Sequence, residues 1–143
     1  MNYRFATESD IDLLAKWNHQ LISDEGHRNA MSIRELRERM QRWLTEDEYT
    51  AVIFSLDAEP VAYALYSARN REVYLRQLFV ARSRRRQGIG KQVIRILREQ
   101  LWLHQQRLTV EVLAANKPAV AFWRAAGYVD YTLTLEMMLE GIE

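Results

Sequence analysis

The sequence predicts a mixed α/β domain, a central sheet flanked by helices in the order β-α-α-β-β-β-α-β-α-β, and three observations carry that prediction. Two capping signals, Thr7-x-x-Asp10 and Ser32-x-x-Glu35, each open an amphipathic stretch near the N-terminus. Runs rich in β-branched and aromatic residues follow, separated by turn residues. An apolar run from Val73 to Val80 then passes through a basic, glycine-bearing loop into a third amphipathic stretch, which is the pattern of a strand, a loop and a helix.

Taken in order, Tyr3-Arg4-Phe5-Ala6 reads as a short strand. The first helix puts Ile11, Leu14, Leu21 and Ile22 on one face, and Ser23 to Ala30 reads as a polar loop. The second helix carries a stripe of Ile33, Leu36, Met40, Trp43 and Leu44. Tyr49 to Leu56 and Val61 to Ala68 flank Asp57-Ala58-Glu59-Pro60 as a hairpin, and Arg69-Asn70-Arg71 turns the chain into the strand Val73 to Val80. Ile89, Val93, Ile96, Leu97 and Leu101 form the buried stripe of the next helix, which should end near His104. Leu108 to Leu113 reads as a strand. Pro118 suits the first turn of the last helix and Gly127 its stop, and the alternation of Tyr128 to Leu139 predicts a strand that closes the sheet. Trp17, Trp43 and Trp102 fall near apolar stripes and are expected in the core or at an interface.

At 143 residues with 48% hydrophobic content, residues 1–143 are expected to form one domain. The absence of cysteine excludes disulfides, thiolate metal sites and cysteine nucleophiles, and no cluster of metal-ligand spacing stands out, so no metal is expected. No apolar run approaches the roughly 18 residues of a membrane span, and Met1-Asn2-Tyr3-Arg4 does not begin a secretory signal, so a cytoplasmic protein without a membrane partner is expected. Net charge is +1, yet Arg69 to Arg98 holds ten Lys or Arg against Glu72 alone, leaving the rest of the chain acidic. Such a two-sided chain suits a polyanionic ligand on one side and a cationic one on the other.

The basic window contains Arg82-Ser83-Arg84-Arg85-Arg86-Gln87-Gly88-Ile89-Gly90 at the head of a helix. Unpaired N–H groups and partial positive charge at a helix N-terminus make such a bend an anion-binding corner. A dinucleotide GxGxxG would need glycine at Val93, and a Walker A loop would need glycine at Arg85 and Ser or Thr at Gln92; neither is met.

What remains, Arg85-x-x-Gly88-x-Gly90, resembles the Q/R-x-x-G-x-G/A acyl-CoA pyrophosphate loop of the GNAT superfamily of N-acetyltransferases. Leu78-Phe79-Val80 falls where that family has the end of its fourth strand. Asn116 with Pro118 to Tyr128 resembles its N-x-x-A-x-x-F/L-Y-x-x-x-G-F block. The matched segments run from about Val73 to Tyr131 in the family's order and spacing.

The resemblance implies transfer of an acetyl group from acetyl-CoA, as cosubstrate, to a primary amine of a small molecule or peptide. It implies cofactor contacts from Leu78, Phe79 and Val80 to the pantetheine arm, from Arg85, Arg86, Gln87, Gly88, Ile89, Gly90 and Lys91 to the pyrophosphate, and from Asn116 and Trp123. It also implies that the strands carrying Val80 and Val110 splay apart around the thioester, and that Asp24, Glu25 and His27 face the acceptor. Two positions depart from the family: Val73 to Val80 holds no acid, and Trp123 stands where the usual general acid is Tyr. Candidate bases are then Glu111, Glu25 and His27, and Tyr131 or Tyr128 could stand in for the missing Tyr.

Other readings stay open for each residue. Asn116 also suits a helix cap, Glu111 a solvent-facing strand position and His27 a structural role. A non-catalytic acyl-CoA-binding module would fit the two departures. A nucleic-acid-binding domain would fit the arginine run alone, but the glycine loop and the near-neutral total charge argue against a nucleic-acid partner. Exposed edge strands and four tryptophans leave room for a homodimer.

Overall fold

The computed structural model describes residues 1–140. Five strands, β1 (Asn2–Phe5), β2 (Thr50–Leu56), β3 (Glu59–Arg69), β4 (Glu72–Val80) and β5 (Arg107–Val110), lie in that order in one sheet. Neighbours are antiparallel except β4 and β5, which run parallel because a helical crossover joins them.

Helices α1 (Ile11–Glu25) and α2 (Ile33–Thr45) cover one face, and α3 (Ile89–Ile96) covers the other, with α4 (Lys117–Ala125) packed beside it through Phe122 and Trp123. Alternation in β2 assigns its side chains to these layers: Ala51 and Ile53 meet Leu14, Trp17, Met40 and Trp43, whereas Val52 and Phe54 meet Val93, Leu97 and Trp102. All three of these tryptophans are core residues, as the stripes predict.

Both capping signals form. Ser32 Oγ accepts from Glu35 N at 3.1 Å while Glu35 returns a bond to Ser32 N at 2.9 Å. Thr7 N donates to the Asp10 carboxylate at 2.8 Å, and Arg4 grips both Asp10 oxygens at 2.7 Å. The Arg4 guanidinium, helped by Thr7, holds the Asp10 carboxyl below its ordinary value against the opposing effect of burial. A carboxyl depressed by folding stabilises the fold above its unfolded pKa of about 3.9, and that contribution is lost as pH falls through the depressed value. Asp10→Asn should therefore be less stable than wild type at neutral pH in urea unfolding, with the difference shrinking below about pH 4.

The turns are tighter than the sequence predicts. Only Asp57 and Ala58 form the first hairpin turn, both with positive φ (50° and 67°), which is the two-residue geometry that matches strand twist. Glu59 and Pro60 belong to β3. Pro60 is tolerated there because it pairs with Ser55 at a register irregularity, where a missing N–H breaks no regular ladder. Asn70 and Arg71 repeat the same turn before β4, with φ of 53° and 64°.

Three boundaries also differ. Helix α1 continues to Glu25 and is stopped by Gly26 in the left-handed region, so Asp24 and Glu25 sit in its last turn rather than in a loop. The helix after the basic loop is α-helical to Ile96 and closes with a π turn over Leu97–Leu101. Strand β5 stops at Val110 instead of Leu113.

The expected closing strand does not form: Tyr128 to Leu139 has no strand pairing among the described residues. Val129, Tyr131, Leu133, Leu135 and Met137 stand 81–88% exposed. After the Tyr128 N–H bond to Trp123 O at 3.1 Å, side chains tether the segment, with Arg124 paired to Asp130 at 2.7 Å, Arg107 4.9 Å from the centre of the Tyr131 ring and Arg28 paired to Glu136 at 2.8 Å. Alternation reports two-sided character, but a strand also needs a neighbouring edge to bond to, and the four residues of β5 offer it little.

Candidate active site

The site begins where two strands part. β4 and β5 stay in register from Glu72↔Arg107 to Leu75↔Val110, after which β4 continues to Val80 with no β5 partner. The ladder between β3 and β4 steps from Leu65↔Gln77 to Tyr66↔Leu75, leaving Arg76 as the extra residue of a bulge. The extra residue changes which face later side chains reach. Val73 and Leu75 belong to the α3 layer, whereas Gln77 is buried beneath α1, accepting a bond from Tyr63 Oη at 2.8 Å.

A cavity of about 860 Å³ occupies the gap, walled by β4 from Tyr74 to Val80, the basic loop, the first turn of α3, the end of α1, and α4. Of the candidate cofactor, acceptor and catalytic residues singled out in the sequence, all but Gln87, Tyr128 and Tyr131 line it, and Tyr128 packs against Trp123 behind the wall. Tyr131 lies instead on the exposed tail against Arg107.

At the basic corner Gly88 has φ of 75°, a conformation that disfavours any other residue, and begins α3. The first helical bond runs from Gln92 N to Gly88 O at 3.2 Å, so the N–H groups of Ile89, Gly90 and Lys91 precede the helix's own ladder. Gly90 lines the cavity and also has a packing reason: a Cβ there would meet the Phe122 ring at 3.3 Å, so its bareness lets α4 close on α3.

The arginines are organised by an acid from across the cavity. Asp24 pairs with Arg82 at 2.8 Å and with Arg85 at 2.7 Å, and Arg85 also donates to Val80 O at 3.0 Å while lying 5.2 Å from the centre of the Phe79 ring. Burial alone would raise the Asp24 carboxyl, but the bonds from Arg82 and Arg85 outweigh it and hold it below its ordinary value. Asp24 is thus committed to the basic loop.

Two titratable pairs face the cavity further along. Glu25 lies 3.3 Å from His27 Nε2, and burial raises the Glu25 carboxyl although His27 opposes the rise. Across the parted strands, Tyr74 Oη donates to Glu111 Oε1 at 2.6 Å. Burial, reinforced by the Glu111 carboxylate, pushes the Tyr74 phenol well above its ordinary value, so it stays a donor. Sequence reasoning missed Tyr74, because only the parallel register places it beside the segment that carries Glu111.

Sequence reasoning also missed Asn18 and Arg39, which line the cavity from α1 and α2. Arg39 donates to Asn18 Oδ1 at 3.3 Å, and its guanidinium lies 4.4 Å from the Trp43 ring centre. Asn116 caps α4, accepting from Ala119 N at 3.3 Å, and faces the cavity as well. Trp123 packs edge-on to Phe122 and Tyr128, with ring centres 4.9 and 5.3 Å away.

Residues 15–128 match the acetyltransferase (GNAT) family. This chain belongs to the GNAT family. Solved structures agree in fold. An acetyltransferase from Thermus thermophilus is 21% identical with a TM-score of 0.74, over 89% of this chain and 86% of that one. An aminoglycoside antibiotic 6'-N-acetyltransferase from Acinetobacter haemolyticus is 17% identical with a TM-score of 0.75, over 98% and 99% of the two chains. A predicted acetyltransferase from Clostridium acetobutylicum, solved with acetyl-CoA, is 19% identical with a TM-score of 0.70, over 96% and 95%. No curated protein matches the sequence.

Proposed function

We propose that the chain is an N-acetyltransferase that moves the acetyl group of acetyl-CoA to the primary amine of a small molecule or peptide. The observation that carries this reading is the single cavity joining the Gly88 corner, the open edge of β4 and the Tyr74–Glu111 pair. A diphosphate fits the corner, where the first N–H groups of α3 stand beside Arg86 and Lys91. The unpaired edge of β4 from Arg76 to Val80 suits an extended amide-bearing arm, which it can bind as a further strand would. Acetyl-CoA supplies an acetyl thioester.

The protein's remaining task is the proton. A lysine-like amine with a pKa of about 10.4 is protonated at pH 7, which withholds its lone pair at a cost of roughly 4 to 5 kcal/mol. Glu111 accepts that proton, its Oε1 held by Tyr74. Tyr74, kept protonated, supplies the phenol that Trp123 lacks, within the same cavity. A leaving thiol with a pKa near 8.5 needs little help from it.

The test is thiol release from acetyl-CoA across a panel of primary amines, with the acetylated product confirmed by mass spectrometry. The protein has no cysteine and contributes no background. Amine-dependent release supports the reading. Bound acetyl-CoA that no amine discharges would favour an acyl-CoA-binding module instead.

A homodimer accompanies this reading. Alternating exposed apolar residues from Val129 to Met137 and the short outer strand β5 present a surface that a second copy can cover. Sedimentation should give about twice the 17.0 kDa chain mass, and Leu133→Asp with Leu135→Asp should return it to the monomer value.

A further inference from the structure

We infer that Asn18, Arg39 and Arg76 form an anion-holding subsite in the cavity, so that the acceptor amine also carries a carboxylate. The inference rests on the acetyltransferase reading and narrows its substrate class.

Five arginines line the cavity, three of them, Arg84, Arg85 and Arg86, on the basic loop, where Arg86 stands at the corner that suits a diphosphate. Arg84 and Arg85 are neutralised by Glu59 and Asp24 at 2.6 and 2.7 Å. Arg39 and Arg76 have no carboxylate within salt-bridge distance among the described residues, although both line the same cavity. They lie close enough to repel each other, and both rest on Trp43, at 4.4 and 4.7 Å from its ring centre. Arg76 is further held by Tyr49 Oη at 3.1 Å. Stacking fixes these two cations without discharging them.

Beside them is an unmet hydrogen-bonding demand. Asn18 is 1% exposed, its Oδ1 is taken by Arg39, and its Nδ2 has no partner. Arg39 Nε is likewise buried and unpartnered. An unsatisfied buried donor costs about 1–3 kcal/mol. Both orphaned atoms are donors, and they stand with two uncompensated guanidinium groups. Only an anion with several acceptor sites answers all of them, and a carboxylate matches the guanidinium fork.

Position explains why this anion belongs to the acceptor. The basic loop that suits a diphosphate is built from Arg84 to Lys91, whereas Arg39 comes from α2 and Arg76 from the bulge of β4. Arg76 is two residues from Tyr74, so a molecule whose carboxylate rests on Arg76 and Arg39 can present its amine to the Tyr74–Glu111 pair.

The experiment compares amino acids with their own carboxamides, which keep the amine and remove the negative charge. The acids should have kcat/KM on the order of tenfold or more above the carboxamides. Arg39→Gln and Arg76→Gln should each raise KM for the acids by a similar factor and raise it far less for the carboxamides. Because both arginines stack on Trp43, the carboxamides are the control: a variant that only loosened Trp43 would impair acids and carboxamides alike, and melting temperatures confirm that both variants fold. Carboxamides used as well as the acids, or variants that impair both alike, would overturn the subsite. Saturation-transfer NMR separates this inference from the reading it rests on. Amino acids that bind wild type but not Arg39→Gln, without being acetylated, uphold the subsite and sink the acetyl-transfer reading. Binding of acids no stronger than that of carboxamides, or of neither, sinks the subsite.

Discussion

Glu111→Gln should lower kcat by about 10²–10⁴-fold, the range over which a positioned general base acts, while leaving KM for acetyl-CoA near its wild-type value. Gln keeps the shape of Glu and can still accept the bond that Tyr74 now donates at 2.6 Å, so the fold and the cavity wall are preserved. What it loses is the capacity to take a proton from an ammonium group. Tyr74→Phe makes a useful companion, because it frees the carboxylate without removing it, and should cost less than the Glu111 change. Steady-state kinetics on any amine identified as an acceptor would show the split. An unchanged kcat in Glu111→Gln would move the base elsewhere, with Glu25, whose carboxyl is raised by burial beside His27, next in line.

Phe79→Ala should destabilise the protein by about 3–5 kcal/mol, as expected for a buried aromatic truncated to a methyl group. Its ring is 1% exposed and packs against Trp17 and Tyr63 with centres 5.5 and 6.1 Å apart. It also carries Arg85, whose guanidinium lies 5.2 Å from the ring centre. The loss should therefore reach beyond the core: the loop that Arg85 anchors to Val80 O and Asp24 loses its floor. Urea unfolding would measure the change. A loss below about 1 kcal/mol would mean that the cavity left behind collapses, contrary to the close packing seen around the ring.

Features written in local chemistry were legible in the sequence. The capping boxes at Thr7–Asp10 and Ser32–Glu35 close within four residues, and both form. Gly88 could be read as the bend of an anion corner because left-handed backbone strongly favours glycine. Features that depend on register or on distant partners were not legible. Tyr74 meets Glu111 only through the parallel pairing of β4 with β5. Asn18 and Arg39 come from separate helices, and their unmet donors become visible only when both are packed. The bulge at Arg76 leaves no mark in the alternation of β4, yet it decides which side chains face α1. The packing reason for Gly90, the Phe122 ring of α4 at 3.3 Å from where a Cβ would stand, depends on a partner 32 residues away in the sequence. Tyr128 to Leu139 has the pattern of a strand and lacks an edge to join.

The most direct measurement is a calorimetric titration of acetyl-CoA into wild type and into an Arg85→Ala, Gly88→Trp double variant, each at two salt concentrations. The account predicts binding at about micromolar Kd or tighter, weakened by salt and lost in the folded variant, in which Trp must adopt a left-handed backbone and the loop loses its anchor. Folded wild type that does not bind acetyl-CoA, or a variant that binds it equally well, would contradict the assignment of the cavity.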